Sequence, residues 1–359
     1  MYQVKKVSIA QLKDPLVVRW LYSLSVWPVS PARLASYLTN PNADPGDDVI
    51  YVVTQMDECV AFRTIMPDLI RGRNGQIKVA WLSGTWVKPS CRGKKLSLLT
   101  LHEVMKDWGG RLMFTNYSPV SENVNLQSHE FDLFLRREGM RFYLRSPLSV
   151  KFQCSFYGSK FLLKFADSLV NMLFSIHRTL KSRCNVNHNE MISPMDMGDF
   201  VDAASTQFSH AISKRESPHF SWILQHPWIG EGKPELRYPF TWLNMGNCVL
   251  MRSVVNSSGI IIAFALVNVK QMMATIPYFW CSIDEAGHQL TQGLVDELTN
   301  REVLWLTIFD PSVTRFFIKH RLLKKSVKQN YYISHLMKGL MHDPHWYHPV
   351  DGDGDVVFV

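Results

Sequence analysis

Val87-Lys-Pro-Ser-Cys-Arg-Gly-Lys-Lys-Leu-Ser97-Leu-Leu99 is the stretch on which the reading of this chain turns. Before it, Val79 to Val87 is an apolar run of strand character. After it, apolar residues recur at helical spacing as far as Trp108. A strand, a basic glycine-bearing turn and a helix N-terminus in succession bring backbone N–H groups and a positive dipole end to one point, which suits an anion. Two common phosphate binders are excluded by spacing. A dinucleotide fold uses three glycines in Gly-x-Gly-x-x-Gly, and a P-loop uses Gly-x4-Gly-Lys-Ser/Thr.

The stretch resembles the acetyl-CoA pyrophosphate loop of the GNAT superfamily of N-acetyltransferases, whose pattern is Val-x-Pro-x-x-Arg-Gly-x-Gly-x-Gly/Ala followed by paired leucines. Val87, Pro89, Arg92, Gly93, Leu98 and Leu99 fit it, while Lys95 and Ser97 stand where the family prefers Gly and Gly or Ala. The resemblance implies acetyl-CoA or another acyl-CoA as co-substrate, with no metal. It implies that the backbone of Gly93, Lys94, Lys95, Leu96 and Ser97 meets the pyrophosphate. Arg92, Lys94 and Lys95 would add charge, and the backbone of Trp86 and Val87 would pair with the pantetheine arm. A lysine in place of the glycine at 95 can still offer its N–H if that residue is helical.

The catalytic residues stay unassigned. Many family members carry a carboxylate on the strand before the loop, and Trp81 to Val87 has none. Many also have Asn-x-x-Ala-x-x-Leu-Tyr-x-x-x-Gly-Phe, whose tyrosine protonates the leaving thiolate. Aligned on Gly139, this chain offers Ser128, Phe131, Phe134, Leu135 and Met140, so the tyrosine is missing. Tyr117 and Tyr143 are substitutes near in sequence, though a tyrosine at a strand end is more often a packing residue. His129 and Glu130 are read as the polar first turn of a helix or as a base. Asp57 and Glu58 fit a hairpin turn.

Around the loop the pattern alternates strands and helices. Tyr2 to Ile9 predicts a strand, and Leu16 to Thr39 helices broken at Pro28 and Pro31. Val49 to Gln55 and Cys59 to Met66 predict a hairpin, and Lys78 to Val87 a central strand. Lys95 to Trp108 predicts a helix stopped by Gly109-Gly110. Leu112 to Tyr117 predicts a strand, Ser128 to Glu138 a helix stopped at Gly139, and Arg141 to Val150 a final strand. From Cys248 onward the order returns. A hairpin (248–253, 260–269) leads to a strand (272–281), a helix (290–302), a strand (303–309), a short helix (313–320) and a strand (328–334). The expected fold is therefore α/β: two tandem GNAT-like domains, each a mixed, mostly antiparallel twisted sheet flanked by helices. The linear pattern divides the chain into 1–157, a connecting segment 158–190, and 191–359. In the second half Cys281-Ser-Ile-Asp-Glu-Ala-Gly-His288 takes the place of the phosphate loop. Its carboxylates would repel pyrophosphate, so that half is expected to be degenerate and to shape an acceptor cleft between the halves. His219 to Pro227 and the terminal Asp351-Gly-Asp-Gly-Asp-Val-Val-Phe358 are similar to stretches of bacterial tandem-GNAT proteins, the first as an entry to the second domain.

Composition sets outer bounds. The chain has 359 residues, 46% hydrophobic and 19% charged, with a formal net charge of +8. That is enough for two globular domains. The charge suits an anionic partner, but no run of five basic residues exists, which argues against nucleic acid. The six cysteines are far apart with no C-x-x-C pair, which argues against structural zinc and for reduced thiols in a cytoplasmic protein. No uncharged apolar run reaches about 18 residues, so no spanning helix is expected. Residues 160–183 carry apolar positions at helical spacing among Lys160, Lys164, Arg178, Lys181 and Arg183. They read as a connecting helix or as a helix on the inner membrane face. His342-Asp-Pro-His-Trp-Tyr-His348 lacks the companions a metal site needs. Asp351 to Asp355 opens like a calcium loop but has no glutamate at position twelve, and reads as a turn before a last strand.

These observations predict an acyl-CoA-dependent N-acyltransferase acting on a small-molecule amine. The likeness to bacterial tandem-GNAT proteins suggests an amino sugar of envelope or surface-polysaccharide biosynthesis. A Fem-type aminoacyltransferase and a non-catalytic acyl-CoA-binding or assembly protein are the alternatives.

Overall fold

Turn chemistry sets most of the boundaries. The computed structural model describes residues 2–116, 119–148, 162–172, 192–240, 242–320 and 323–358. Strand β1 (Gln3–Ser8) leads to helix α1 (Pro15–Ser23), whose Asp14 cap accepts from the Leu16 N–H at 2.8 Å. Helix α2 (Pro31–Leu38) is capped in the same way by Ser30, again with proline in the first turn. Strands β2 (Asp48–Gln55) and β3 (Glu58–Gly72) turn through Met56 and Asp57, both left-handed at φ 49° and 60°. That pair of angles matches the twist of the strands it joins. Strand β4 (Gly75–Val87), helix α3 (Leu96–Asp107), strand β5 (Leu112–Thr115), helix α4 (Pro119–Leu126) and strand β6 (Phe131–Tyr143) complete the first series.

Residues 162–172 are helical, followed by the two-residue strand β7 (Ser193–Pro194) and helices Met197–Ala204 and Ser217–Gln225. The second series then runs β8 (Cys248–Val255), β9 (Ile261–Lys270), β10 (Met273–Cys281), helix Asp284–Asn300, β11 (Trp305–Ile308), helix Pro311–Ile318 and β12 (Leu323–Ser334).

The chain packs as two compact units, each discontinuous in sequence. The first holds residues 1–137, 201–245 and 328–359, and the second 138–200 and 246–327. Packing therefore cuts the chain differently from the linear division 1–157, 158–190, 191–359. The segment His219 to Pro227, expected to open the second domain, belongs to the first unit. Its Trp222 and Trp228 indoles donate to the Ser36 carbonyl and hydroxyl at 2.8 and 2.7 Å.

In the first unit the strand order is β1-β2-β3-β4-β5-β12. All neighbours are antiparallel except β4 and β5. In the second the order is β6-β11-β10-β9-β8-β7, with β10 and β11 the parallel pair. The last strand of each series is thus exchanged: β12 pairs with β5, and β6 with β11. The second unit has its own core, in which Leu290, Leu294 and Leu298 of the Asp284–Asn300 helix meet Val267, Ile276 and Leu306 of the sheet. Their i, i+4, i+8 spacing is one helix face.

Two expectations fail here. Residues 128–138 are not a helix. The helix comes earlier, at Pro119–Leu126, and 131–143 is β6. The four apolar residues of that stretch, Phe131, Leu133, Phe134 and Leu135, fit a strand or a helix period alike, and His129 at φ 58° breaks the chain between helix and strand. Gly139 is not a helix stop. A Cβ there would fall 2.4 Å from Phe309 Cδ1 and 2.6 Å from the Ile308 carbonyl, so its bareness lets β6 lie against β11. Nor does Asp351 to Asp355 precede a strand. The segment is buried and ends in a single 3-10 turn, Val356–Phe358.

Candidate active site

The first unit builds its site where β4 leaves β5. The parallel pairing holds only at Ala80–Leu112 and Trp81–Met113. Beyond it β4 runs on to Val87, still paired with β3 on its other side but with no β5 partner. The register with β3 slips between Thr64 and Ile65, which pair with Gly84 and Leu82, so Ser83 is bulged. A bulge bends its strand and strengthens local twist, which opens the β4 edge. Trp86 and Val87 lie on this open stretch, half-buried, with the Trp86 ring stacked on Phe62 at 5.8 Å.

The turn that follows is firmly held. Lys88 N–H donates to the Val60 carbonyl at 2.9 Å, and Pro89–Cys91 forms a 3-10 turn. Cys91 and Leu96 are buried with Val53, Val60 and Ala61. Leu96 is thus the anchor of the loop, while Arg92, Gly93, Lys94 and Lys95 are exposed. Gly93 sits at φ 82° with nothing within 4 Å of where a side chain would project. Lys95 is the cap residue of α3, and its backbone is left-handed at φ 59°, ψ 20°, rather than helical. This is why glycine is preferred there: a Cβ in that region costs about 1 kcal/mol. Lys95 makes no side-chain cap, and the first intrahelical bond is Leu99 N–H to the Lys95 carbonyl at 3.0 Å. The N–H groups of Leu96, Ser97 and Leu98 therefore have no intrahelical acceptor.

Beneath this helix end lies Arg63, which no sequence signal marks. It is buried on β3. Its Nη2 donates to the Ser97 carbonyl (3.2 Å), the Ser97 hydroxyl (3.1 Å) and Asn125 Oδ1 (3.3 Å), and its Nε to Thr100 Oγ1 (3.4 Å). Every one of these acceptors is neutral. Burial pushes the guanidinium pKa down from 12.5 to about 9.

A second unforeseen group comes from the C-terminal tail. Asp351 pairs with Arg137 at 2.7 Å. Asp353 accepts from the Ser213 and Val350 N–H groups at 2.8 and 2.9 Å. Gly354 at φ 69° lies on the Trp81 ring, where a Cβ would sit 2.8 Å from Cδ2. The next residue, Asp355, is buried and accepts a hydrogen bond from the hydroxyl of Ser83, the bulged residue. Asp355 thus brings a carboxylate to β4 from 272 positions away. Arg33 lies against the same bulge, its Nη1 3.3 Å from where a Cβ of Gly84 would be. Its guanidinium lies 4.1 Å from the Trp228 ring, and its Nε donates to the Tyr37 hydroxyl at 2.8 Å. Burial raises the Tyr37 phenol to about 12.

The tail is held by Asp68, buried on β3. It takes Arg215, the Trp81 indole (3.0 Å), the Ser213 hydroxyl (2.7 Å) and Asn42 Nδ2 (3.0 Å).

The remaining sequence candidates do not join the site. His129 and Glu130 lie in the turn between α4 and β6, not on a helix. Tyr143 is buried against Trp305 at 6.2 Å, a packing residue. Tyr117 lies outside the described residues. His342 stacks on Trp346 at 4.2 Å. Among the described residues no three His, Cys, Asp or Glu side chains group as metal ligands. The second unit repeats the splay: β10 pairs with β11 only at Met273 to Thr275 and bulges before Tyr278. Its helix, however, begins with Asp284 and Glu285, and Asp284 is bound by Arg315 at 2.7 Å. Its own carboxylates occupy the end that an anion would need.

No family model and no curated protein matches this chain. Solved structures do. N-myristoyltransferase of Saccharomyces cerevisiae with bound myristoyl-CoA aligns over 96% of this chain and 80% of its own, with TM-score 0.58 and 11% identity. A conserved protein of unknown function from Enterococcus faecalis, a probable N-acyltransferase, aligns over 94% and 74%, with TM-score 0.54 and 9% identity. At such identities the likeness speaks for the fold alone: an α/β chain of two GNAT-like units, each a mixed sheet flanked by helices.

Proposed function

We propose that this chain is an acyl-CoA-dependent N-acyltransferase whose first unit holds the acyl-CoA. The observation that carries the reading is a conjunction within that unit. A helix end without a side-chain cap stands behind a basic turn, and the preceding strand leaves its parallel neighbour just before that turn. The pyrophosphate would meet the N–H groups of Leu96 and Ser97, with Arg92, Lys94 and Lys95 around it. The pantetheine arm would lie along Ser83 to Val87 as the missing strand, bringing the thioester to the bulge. The amine nitrogen attacks the thioester carbonyl carbon, the C–S bond breaks, and CoA leaves as thiolate. We assign Asp355 to take the proton the amine gives up, since it is the carboxylate bonded to the bulged residue. The group transferred is acetyl or a longer acyl. The acceptor is a small-molecule amine, and an amino sugar is the class its sequence likeness favours.

Calorimetric titration with acetyl-CoA, myristoyl-CoA and CoA tests the reading. The wild type is expected to bind, and Arg92→Ala/Lys95→Ala to bind about tenfold more weakly or worse. Absence of binding by the wild type would overturn it. Asp355→Asn should keep binding while thiol release over an amine panel falls on the order of a hundredfold. Binding without turnover on any amine would point to a non-catalytic protein, and dependence on charged tRNA to the Fem type.

A further inference from the structure

One buried charge of the first unit has no part in the steps above. Arg33, on α2, is 2% exposed. Among the described residues its guanidinium makes one hydrogen bond, from Nε to the Tyr37 hydroxyl at 2.8 Å. That acceptor is neutral, since burial raises the phenol to about 12. Nη2 is buried and has no hydrogen-bond partner among the described residues. A buried guanidinium held in this way is costly. The ligand that suits it is a carboxylate, whose two oxygens match two N–H groups of the planar fork.

Its place beside the sheet points to the same ligand. Side chains alternate along β3, so Phe62 and Thr64 face away from Arg63 and α3. On that face Thr64 Oγ1, Phe240 Cε2 and Arg33 Nη1 lie 2.7, 3.1 and 3.3 Å from where a Cβ of Gly84 would stand. The bareness of Gly84 therefore lets the guanidinium down onto β4, next to the bulge. Asp355 reaches the same bulge through the Ser83 hydroxyl, and it acts on Arg33 through space rather than by a hydrogen bond. Carboxylate and guanidinium thus stand apart at one bulge instead of closing on each other. Phe62, Trp86 and Phe240 form an aromatic wall beside them, with ring centroids 5.8 and 6.1 Å apart, and Trp86 and Phe240 are only half-buried.

We propose that Arg33 binds a carboxylate of the acceptor, which is therefore a molecule bearing both an amine and a carboxylate. The carboxylate sits on Arg33 and the amine at Asp355. This rests on the acyltransferase reading and narrows its acceptor. An amino acid offers the pair of groups, and so does an amino sugar oxidised to a uronic acid.

Calorimetry on the full-length protein, with and without CoA, reads acceptor binding directly. Phenylalanine and leucine, which suit the aromatic wall, are titrated against phenylalaninamide and leucinamide, and galactosaminuronic acid against galactosamine. The wild type should bind a carboxylate-bearing compound about tenfold or more tightly than its neutral counterpart, and the pair that responds identifies the source. Arg33→Gln should erase the preference while CoA affinity and melting temperature hold, because a buried charge is removed and no carboxylate loses its partner. Arg33→Lys, which keeps the charge and loses the fork, should retain part of the preference, and it carries the test should Arg33→Gln not fold. Equal wild-type affinity within every pair, no binding of any of these compounds, or a preference unchanged in the variants would overturn the proposal. A wild type that binds no CoA yet keeps the preference would refute the acyltransferase reading and leave the carboxylate site standing.

Discussion

Replacing Arg63 by methionine should make the ligand-free protein more stable and, on the proposed function, weaken acyl-CoA binding. The guanidinium is buried, and its hydrogen-bond acceptors on Ser97, Thr100 and Asn125 are all neutral. Burial lowers its pKa from 12.5 to about 9. At about 1.4 kcal/mol per pH unit, the folded state disfavours the charged form by up to about 5 kcal/mol. Arginine keeps its proton at neutral pH, so the cost resides in the fold. The sign follows: a base whose charged form is disfavoured on folding destabilises at every pH below about 9, and the difference between variant and wild type should be flat from pH 5 to 8. Methionine removes that cost but leaves Asn125 Oδ1 short of a donor, at about 1–3 kcal/mol, while the Ser97 carbonyl keeps the Thr100 hydroxyl as donor. The net expectation is a gain of about 1–3 kcal/mol, as when other buried charges are replaced by apolar groups. The affinity effect has the opposite sign. With an effective dielectric near 20 and a separation of roughly 8 Å, a unit positive charge stabilises a unit negative one by about 2 kcal/mol, roughly thirtyfold in Kd. Urea denaturation without ligand and calorimetry with CoA read the two effects. A variant that loses stability and binds CoA as well as the wild type would refute the reasoning, and Arg63 would then be a structural tie between β3, α3 and α4.

Lys95→Gly should raise stability by about 0.5–1 kcal/mol, because the residue holds φ 59° at an exposed site, and a thermal melt measures it. Asp68→Ala should cost about 3–5 kcal/mol in denaturant unfolding, since it removes the buried carboxylate that pairs with the buried Arg215. The Asp353 carboxyl is pushed up to about 6 by burial. A raised acid pKa means that the fold binds the proton more tightly than the unfolded chain. Stability contributed by this group should therefore fall as pH rises from about 4 to 6, by up to about 3 kcal/mol. Urea midpoints of wild type and Asp353→Asn across that window should differ in slope, and equal slopes would remove Asp353 as the cause.

The basic turn between β4 and α3 was legible because its signals are local. Pro89 starts the turn, Gly93 takes φ 82°, and the apolar period of α3 begins within three residues. The hairpin at Met56-Asp57 was legible for the same reason. Residues 128–138 were not, since Phe131, Leu133, Phe134 and Leu135 suit a strand or a helix alike, and β11, with which residues 140–143 of the same strand pair, lies far along the chain. Lys95 was anticipated as a departure from the family pattern, but its left-handed backbone shows only in three dimensions.

The sequence by itself determined most of the elements and their order, the basic turn before α3 and the acidic residues that stand at the corresponding place in the second series. These depend on capping, turn chemistry and periodicity, which act over a few residues. Tertiary structure alone decided that β6 and β12 change places between the two series and that both units are discontinuous. It also placed the buried guanidinium of Arg63 beneath the N-terminal end of α3 and brought the carboxylate of Asp355 to Ser83. Those outcomes depend on strand pairing and burial between residues as far as 272 positions apart, and no local pattern encodes which distant partner wins.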